Sequence, residues 1–406
     1  MTSVLMPIII CIVFLAWSTK CQNGRQRKDM SLTVELGILF VNHSLNNIEK
    51  HFYMHDKEKF KILSIDGGGI RGIIPAKILY HLEEEAVKRH GPESRLCDYF
   101  DMVCGTSTGG IIAIGIALGM KAKDILELYK QNASIIFPPK SPLRSFFHNK
   151  PLYDRASLQK LLSDNFNKFD PQDNLARIYH CKTRLCIPTY DLCQGAGHVF
   201  KTDHLNNLQR DCHIPLVSLA LATAAAPVYF SPYSFTYSEM NSCNTGSYLN
   251  NVDGGVLANN PTLIGLTEAH YCIGIPLEQI EVLSLGTGTI TLKDNNTKSP
   301  KGPLYWLLPS KRKGFRIYEI MSSGQSVFID NTMKMICNGA GHDQKKRFNY
   351  LRIQKKLDES IAMDSSDSHS LTLLENIGQD LYKQNLELLK PFILQKAKQY
   401  NHNFII

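Results

Sequence analysis

A serine in the first third of the chain lies in a sequence that could carry out nucleophilic chemistry. The apolar run Met102–Cys104 predicts a buried strand, the turn Gly105-Thr-Ser107-Thr-Gly109 follows it, and Ile111–Leu118 then has helical spacing. Strand, tight turn and helix form the setting of a Gly-x-Ser-x-Gly nucleophile elbow, which presents a serine hydroxyl to a substrate. The two glycines are needed because a Cβ there would collide with the neighbouring strand and helix. The alternative, a glycine-rich turn with an incidental serine, is disfavoured by the elements on both sides.

A second glycine-rich turn, from Asp66 to Gly72, connects a predicted strand, Phe60–Ile65, to a predicted helix, Ile73–Arg89. Its sequence matches Gly-x-Gly-x-x-Gly, the pattern of a dinucleotide-binding loop. That fold requires an acidic residue about twenty positions further on, at the end of a second strand. Here the acidic run Glu83–Glu85 falls inside the predicted helix, which argues against a dinucleotide site.

The same glycines can serve the serine. Successive glycine amides at the N-terminus of a helix point several N–H donors outward, and the helix dipole adds to their effect. An oxyanion that develops beside Ser107 needs such donors. Gly67, Gly68 and Gly69 therefore predict an oxyanion hole, and Arg71 could brace the loop or add positive charge.

A third stretch, Tyr248–Pro261, delivers an acidic residue from the end of a strand. A short strand leads to Asp253, a Gly-Gly turn follows, and Pro261 opens a predicted helix, Thr262–Cys272. An aspartate before two glycines is frequently a turn-capping residue. Read alone, this stretch favours that structural role.

The remaining pattern predicts an α/β fold with three layers, in which helices cover both faces of a mostly parallel central sheet. One domain is expected, with a core at residues 60–267 that residues 268–406 complete. Further strands are predicted at Thr183–Tyr190, His198–Thr202, Ile280–Leu285 and Phe348–Ile353, and further helices at Lys121–Ser134, Arg155–Phe166, Pro215–Ala226, Tyr318–Met335 and Leu371–Tyr400, the last interrupted at Pro391.

The N-terminus differs from the rest of the chain. Hydrophobic residues make up 43% and charged residues 20% of the 406 residues, which excludes a disordered protein. The uncharged, apolar start predicts a secretory signal peptide at residues 1–18, followed by a variable lead-in at residues 19–59; a membrane anchor is the alternative. Eleven cysteines, or ten without Cys11, are consistent with disulfides in an oxidising compartment.

The net charge of +8 is concentrated in one segment. Between Lys298 and Arg316 there are six basic residues and no acidic one, with an aromatic and apolar group around Trp306. Such a segment suits a peripheral contact with an anionic lipid surface, although a solvated loop is the simpler interpretation. Nothing resembles a nucleic-acid-binding module. The basic residues are Lys298, Lys301, Lys311, Arg312, Lys313 and Arg316.

The three motifs together resemble those of the patatin-like phospholipase family. Two further stretches, Thr223–Pro227 and Val256–Pro261, add to the likeness, which covers roughly Phe60–Thr267. The C-terminal elements are similar to the plant-type branch more weakly. The motifs in chain order are Asp66-Gly-Gly-Gly-Ile-Arg71-Gly, Gly105-Thr-Ser107-Thr-Gly-Gly110 and Asp253-Gly-Gly255.

The resemblance implies a Ser–Asp dyad on an α/β/α fold that hydrolyses acyl esters of phospholipids and galactolipids without a metal or other cofactor. Ser107 would be the nucleophile and Asp253 the base. The implied supporting residues are Gly67, Gly68, Gly69 and Arg71 in the oxyanion hole, Gly105 and Gly109 in the elbow, and Gly254 and Gly255 after the base.

Elementary chemistry agrees with this assignment. A serine hydroxyl is a weak nucleophile that needs a positioned base. An exposed aspartate, with a pKa of about 3.9, is a poor base. Burial in a cleft would raise that pKa and make Asp253 a better one.

Two alternatives remain open at this point. An α/β-hydrolase would use Ser107 and Asp253 with a histidine base, for which His270, His342 and His369 are the candidates in chain order. A lipid-binding or storage protein on the same scaffold would need no catalysis, and the intact Ser107 and Asp253 argue against it. The sequence indicates neither the lipid headgroup nor the oligomeric state.

Overall fold

The computed structural model of the protein describes residues 59–138, 150–290, 295, 297, 301–307, 309–310, 314–339 and 346–404. The chain divides into two units, residues 1–58 and residues 59–406. The predicted signal peptide and nearly all of the lead-in lie outside the described residues. So do His342 and four basic residues of the predicted lipid contact, Lys298, Lys311, Arg312 and Lys313.

Ten strands occur in the described part of the chain. They are β1 (Phe60–Ile65), β2 (Met102–Gly105), β3 (Arg184–Asp191), β4 (Ala196–Lys201), β5 (Tyr233–Ser238), β6 (Thr245–Asp253), β7 (Ile280–Leu285), β8 (Pro309–Ser310), β9 (Gly314–Phe315) and β10 (Asn349–Ile353).

Helices connect and cover these strands. They are α1 (Ile73–His90), α2 (Thr108–Leu118), α3 (Ala122–Ile136), α4 (Ala156–Phe166), α5 (Leu216–Thr223), α6 (Gly255–Ala258), α7 (Thr262–Thr267), α8 (Pro303–Leu307), α9 (Arg316–Asn338), α10 (Ser368–Gln384) and α11 (Leu386–Leu389). No helix within the described residues combines the length and apolar character that crossing a bilayer requires.

The central sheet is mixed and mostly parallel. Its described strands follow the order β10-β7-β1-β2-β3-β6-β5, with β4 also paired to β3. The run from β10 to β3 is parallel, whereas β4, β5 and β6 are antiparallel to their neighbours. The predicted α/β class with a mostly parallel sheet is confirmed.

Side chains of β1 alternate between two hydrophobic cores, as the two-residue period of a strand requires. Leu63 and Ile65 pack in a large cluster with α1, α2, α3, α5 and α10. Phe60 and Ile62 face a second cluster, to which α7 and α9 contribute. Helices therefore cover both faces of the sheet, and α2, which follows the serine turn, is buried along its whole length.

The middle of β3 is the point where two strands meet end to end. Cys186 pairs with Cys104 of β2, and three residues later Thr189 pairs with Asp253 of β6. Strand β4 pairs with β3 along this whole stretch, so it occupies one edge and β2 and β6 share the other. Because β2 is parallel and β6 antiparallel to β3, their C-terminal ends point at each other. This arrangement brings the two chemical motifs together.

The prediction of only a short strand before Asp253 is wrong. Strands β5 and β6 form a long antiparallel hairpin at the edge of the sheet. Most of their side chains are polar or aromatic and partly exposed; Phe235 and Val252 are the buried apolar ones. The two-residue alternation that reveals a strand is therefore weak in this sequence.

Three predicted helices end earlier than expected. Helix α5 ends at Thr223 rather than Ala226, and the Thr223 carbonyl accepts a hydrogen bond from Gly254 N–H (3.1 Å). Helix α7 ends at Thr267 and continues as one π-helical turn, Glu268–Cys272. The predicted C-terminal helix ends at Gln384, before the proline that was expected to interrupt it, because Asn385 leaves the helical conformation.

The described cysteines are all free thiols. The disulfides that an even count allowed are therefore not formed among them. Cys11 and Cys21 lie outside the described residues. The nine free cysteines are Cys97, Cys104, Cys181, Cys186, Cys193, Cys212, Cys243, Cys272 and Cys337.

Candidate active site

Ser107 occupies a strained turn between β2 and α2. Its backbone angles, φ 54° and ψ −121°, lie in a region that residues other than glycine rarely adopt. The flanking glycines permit this turn: a Cβ on Gly105 would lie 2.1 Å from Gly109 O, and one on Gly109 would lie 2.2 Å from Ile65 O. The local geometry is that of a nucleophile elbow, with the serine at the surface of a cleft.

Hydrogen bonds to two separate segments hold the elbow. Thr106 Oγ1 donates to Ala258 O (2.6 Å), and Ser107 N–H donates to Thr223 Oγ1 (3.1 Å). The Thr223 hydroxyl in turn donates to Pro188 O (2.7 Å), in the middle of β3. Thr223 therefore links the serine to the strand at which β2 and β6 meet.

The Gly67–Gly69 loop passes directly beside the serine. A Cβ built on Gly67 would lie 3.4 Å from Ser107 Cβ. Gly67 N–H donates to Asn259 O (3.0 Å), so this amide is engaged within the protein rather than directed at a substrate. In the described part of the chain, the amides of Gly68 and Gly69 have no acceptor. Two of the three predicted donors are thus available.

Arg71 braces this loop from behind. Its Nη2 contacts Glu319 Oε2 at 3.1 Å, and its Nε–H donates to Gly68 O (3.4 Å). Both charged side chains are buried, and a carboxylate neutralises the guanidinium. Arg71 lines a separate polar cavity rather than the pocket at Ser107. Of the two roles predicted for Arg71, its contacts fit bracing, and they do not place it among the oxyanion donors.

Asp253 is completely buried at the end of β6. Its Oδ1 accepts a hydrogen bond from Gly255 N–H (2.6 Å), and its own N–H donates to Ala225 O (3.0 Å). Among the described residues, no donor is in hydrogen-bonding geometry with Oδ2. Burial raises the pKa of Asp253 to about 7, and the nearby Ser107 and Tyr318 hydroxyls and the Gly255 amide lower it in part. This carboxylate can accept a proton near neutral pH.

The two glycines after Asp253 allow the backbone to pack closely. A Cβ on Gly254 would lie 2.1 Å from Pro188 O. A Cβ on Gly255 would lie 2.9 Å from both Asp253 Oδ1 and the Tyr318 hydroxyl oxygen. Any larger side chain at either position would therefore displace the carboxylate or the strand beside it.

Ser107 borders an apolar pocket of about 590 Å³, part of which is open to solvent. Helices α2, α3 and α4 share its wall with the loop that follows α5, and Gly69 and Tyr318 also line it. Other lining residues include Ile111, Leu128, Ile136, Leu158, Phe230 and Met363.

Sequence reasoning missed Tyr318 and undervalued Thr223. Thr223 lay in a stretch that supported the family resemblance, but its hydrogen bonds to both halves of the site were not foreseen. Tyr318 was placed only as the start of a predicted helix; it lines the pocket and acts on Asp253. No local pattern marks it, because its contact partners lie far away in the sequence.

No described histidine contacts Ser107 or Asp253. His270 Nδ1 is 2.8 Å from Ile275 O, within the turn that follows α7. His369 is exposed and lies 3.4 Å from Glu359. Likewise, no group of three His, Cys, Asp or Glu side chains among the described residues is arranged to hold a metal ion.

Trp306 and Arg316, from the predicted lipid contact, lie in the described part. Trp306 is half-buried, and its ring N–H donates to Lys301 O (3.1 Å). Arg316 donates to Tyr305 O (3.0 Å) and lies 4.4 Å from the Tyr305 ring centre. Within the described part of the segment, these contacts join Trp306 to Lys301 and Arg316 to Tyr305.

Comparison with known proteins accounts for the motifs. The family profile of patatin-like phospholipases matches residues 63–266. The chain is 30% identical over 352 residues to the cGAMP-activated phospholipase of Vibrio cholerae, covering 81% of this chain and 92% of that protein. It is 31% identical over 353 residues to patatin-like protein 2 of Arabidopsis thaliana (80% and 83%). It is also 29% identical over 355 residues to a probable inactive patatin of Solanum tuberosum, patatin-3-Kuras 1 (81% and 88%). The chain belongs to the patatin-like phospholipase family of lipid acyl hydrolases.

Proposed function

We propose that this protein hydrolyses acyl esters of phospholipids or galactolipids, with Ser107 as nucleophile and Asp253 as its base. One observation carries the proposal: a serine on a strained elbow borders an apolar pocket and lies beside a buried carboxylate whose pKa is raised to about 7. A base with a pKa near the working pH is the most effective kind. One relative is named a probable inactive patatin, so the activity of this chain is tested directly.

The reaction has two halves. Asp253 takes the proton from Ser107 Oγ as that oxygen attacks the ester carbonyl, and the C–O bond to the alcohol then breaks. The alcohol leaves as a lysolipid and takes the proton from Asp253. Water attacks the acyl-serine in the second half, giving its proton to Asp253, and the fatty acid leaves as the Ser107 hydroxyl is restored.

The negative charge that develops on the ester oxygen requires donors that are already in place. The Gly68 and Gly69 amides suit this role because they have no acceptor among the described residues. The Thr108 amide is a further candidate, since it lies in the first turn of α2, where N–H groups have no partner within the helix. The acyl chain occupies the apolar pocket.

The decisive experiment compares the wild-type protein with Ser107→Ala and Asp253→Asn on a short-chain soluble ester. We expect both variants to lose nearly all activity. Labelling by a fluorophosphonate probe should be lost in Ser107→Ala. His369→Ala provides the control, because this exposed histidine lies outside the site. Full activity in Asp253→Asn, or loss of activity in His342→Ala equal to that in Ser107→Ala, would refute the dyad.

The substrate class is tested separately. Mass spectrometry of the products from a mixture of phospholipid, galactolipid and neutral ester identifies the preferred headgroup and ester position. Release of fatty acid from neutral ester alone would contradict the polar-lipid assignment. Failure of the wild-type protein to react with the fluorophosphonate probe would instead favour a lipid-binding or storage protein.

We also propose entry into the secretory pathway, which is supported by the uncharged apolar run at the N-terminus. Expression of the full chain in a eukaryotic host, followed by N-terminal sequencing of the mature protein, tests it. A new N-terminus after Ser18 is the expected result. An intact Met1 in protein recovered from the cytosol would contradict it.

A further inference from the structure

Helix α9 has a reversed distribution of polarity over its first half. Its buried face there carries Glu319, Ser322 and Ser326, whereas its exposed face carries larger apolar side chains. A helix on the surface of a globular protein normally shows the opposite pattern. The exposed apolar residues, which we call the outer face of α9, are Ile320, Met321, Val327, Phe328 and Met335.

The outer face is substantially exposed. Phe328 and Met335 are 67% and 66% exposed, and Met321 is 56% exposed. Gly324, with no side chain, lies between them. No exposed residue of α9 is acidic. Single exposed apolar residues are common on proteins, but five of them along one face of one helix mark an interaction site.

The active site prevents α9 from rotating to bury this face. Glu319 pairs with Arg71 behind the glycine loop. Ser326 Oγ donates to Asp66 Oδ2 (3.3 Å) and accepts from Asn259 Nδ2–H (3.0 Å). These buried polar contacts fix which side of the helix faces inward, because breaking them would leave charged groups unpaired. The exposure of the opposite side is a consequence of the fixed orientation.

We propose that the outer face of α9 docks the protein on an anionic lipid surface; this inference rests on the proposed lipid hydrolysis. The same helix begins at the substrate pocket, where Tyr318 lines the wall. At 1.5 Å per residue, Phe328 lies only ~15 Å along the helix from Tyr318. A bilayer that receives Phe328 would therefore bring its lipids close to the serine.

The charge of the sequence just before the helix suits the same surface. The segment from Lys298 to Arg316, which leads into α9, contains six basic residues and no acidic one. Apolar side chains beside basic ones are the combination that binds anionic interfaces. A second copy of this chain fits less well, because a stable dimer uses roughly 20–30 residues a side.

The experiment measures sedimentation with vesicles of phosphatidylcholine and phosphatidylserine, using the full chain with Ser107→Ala so that the lipids stay intact. We expect Phe328→Gln combined with Met335→Gln to lower the partition coefficient at least ~tenfold, since two large apolar side chains no longer enter the lipid. Vesicles of phosphatidylcholine alone should bind the parent protein more weakly. The matched control is Leu388→Gln with Ile135→Gln, at residues that are 56% and 53% exposed on other helices.

Activity separates this inference from the proposed function. With Ser107 intact, the Phe328/Met335 variant should hydrolyse a soluble short-chain ester at the wild-type rate and lipid in vesicles more slowly. Undiminished vesicle binding by that variant would overturn the docking face, as would a wild-type dimer that the two substitutions dissociate. A wild-type protein that binds vesicles through this face but hydrolyses no ester would instead refute the proposed function.

Discussion

Asp66 and Asp253 each begin the tripeptide Asp-Gly-Gly at the end of a strand, and both carboxylates are buried, yet their surroundings differ. Arg352, from β10, contacts both oxygens of Asp66, at 2.8 and 2.6 Å. Among the described residues, Asp253 has no cationic partner, and one of its oxygens lacks any donor. A neutralised carboxylate holds structure together, whereas one left without a cation can accept a proton. The difference lies in a partner that is distant in sequence.

The largest expected effect comes from removing the carboxylate that has no cation. Asp253→Asn keeps an acceptor for Gly255 N–H but cannot take a proton from Ser107. Loss of a positioned general base should lower kcat/KM on a soluble ester by at least ~10³-fold, near the upper part of the range for such groups. Steady-state kinetics measure it, with circular dichroism as the control for folding. Retention of a tenth of the activity or more would show that Asp253 and Asp66 do not differ in this way.

The matching change at the other aspartate should affect stability. Asp66→Asn leaves Arg352 buried without its counter-charge, which typically costs about 3–5 kcal/mol of unfolding free energy. Urea denaturation measures this loss. Adding Arg352→Met should recover part of it, because removing both partners eliminates the uncompensated charge. Equal stability of Asp66→Asn and the wild-type protein would contradict a structural role for the ion pair.

The raised pKa of Asp253 should also make the stability of the protein depend on pH. The folded-state pKa of Asp253, about 7, lies above its ordinary value of 3.8, so the folded protein holds a proton that the unfolded chain releases between these values. The unfolding free energy contributed by this group therefore falls as pH rises from about 4 to about 7, by up to ~1.4 kcal/mol per pH unit. The Asp253→Asn variant has no carboxyl group to titrate, so this fall in unfolding free energy does not occur in it. Its stability relative to the wild-type protein should therefore rise as pH increases from about 4 to about 7. A constant difference in urea denaturation between about pH 5 and about pH 8 would show that the pKa is not raised.

Local patterns in the sequence were sufficient for much of the fold. The stretches that form β1, β2 and β7 were predicted as strands, and the helix after Ser107 followed from its spacing. These elements are buried, so most of their side chains are apolar, and such stretches are recognisable in a sequence. The polar hairpin of β5 and β6 was largely missed, because its side chains do not alternate strongly between apolar and polar.

The contacts that distinguish the two aspartates could not be predicted, because they join distant segments. Arg352 is separated from Asp66 by 286 positions. The end-to-end meeting of β2 and β6 depends on the register of both strands against β3, which no single motif encodes. Tyr318 enters the site from a helix whose exposed face is apolar and whose inward face is polar, so its periodicity gave no indication of the contact.

The smallest expected effect comes from Tyr318, the hydroxyl that adjusts Asp253 without neutralising it. This hydroxyl lowers the pKa of Asp253, so Tyr318→Phe should raise that pKa further. Because Asp253 must be deprotonated to act, the acidic limb of kcat/KM, expected near pH 7, should move to higher pH by less than ~1 unit, since a nearby hydroxyl that favours the charged form is removed. Activity would then fall at acidic pH and change much less on the alkaline plateau. Tyr229→Phe is the control, since Tyr229 lines the same pocket but does not act on Asp253. A limb that stays in place in Tyr318→Phe, or moves equally in both variants, would show that the Tyr318 hydroxyl does not act on the proton affinity of this carboxylate.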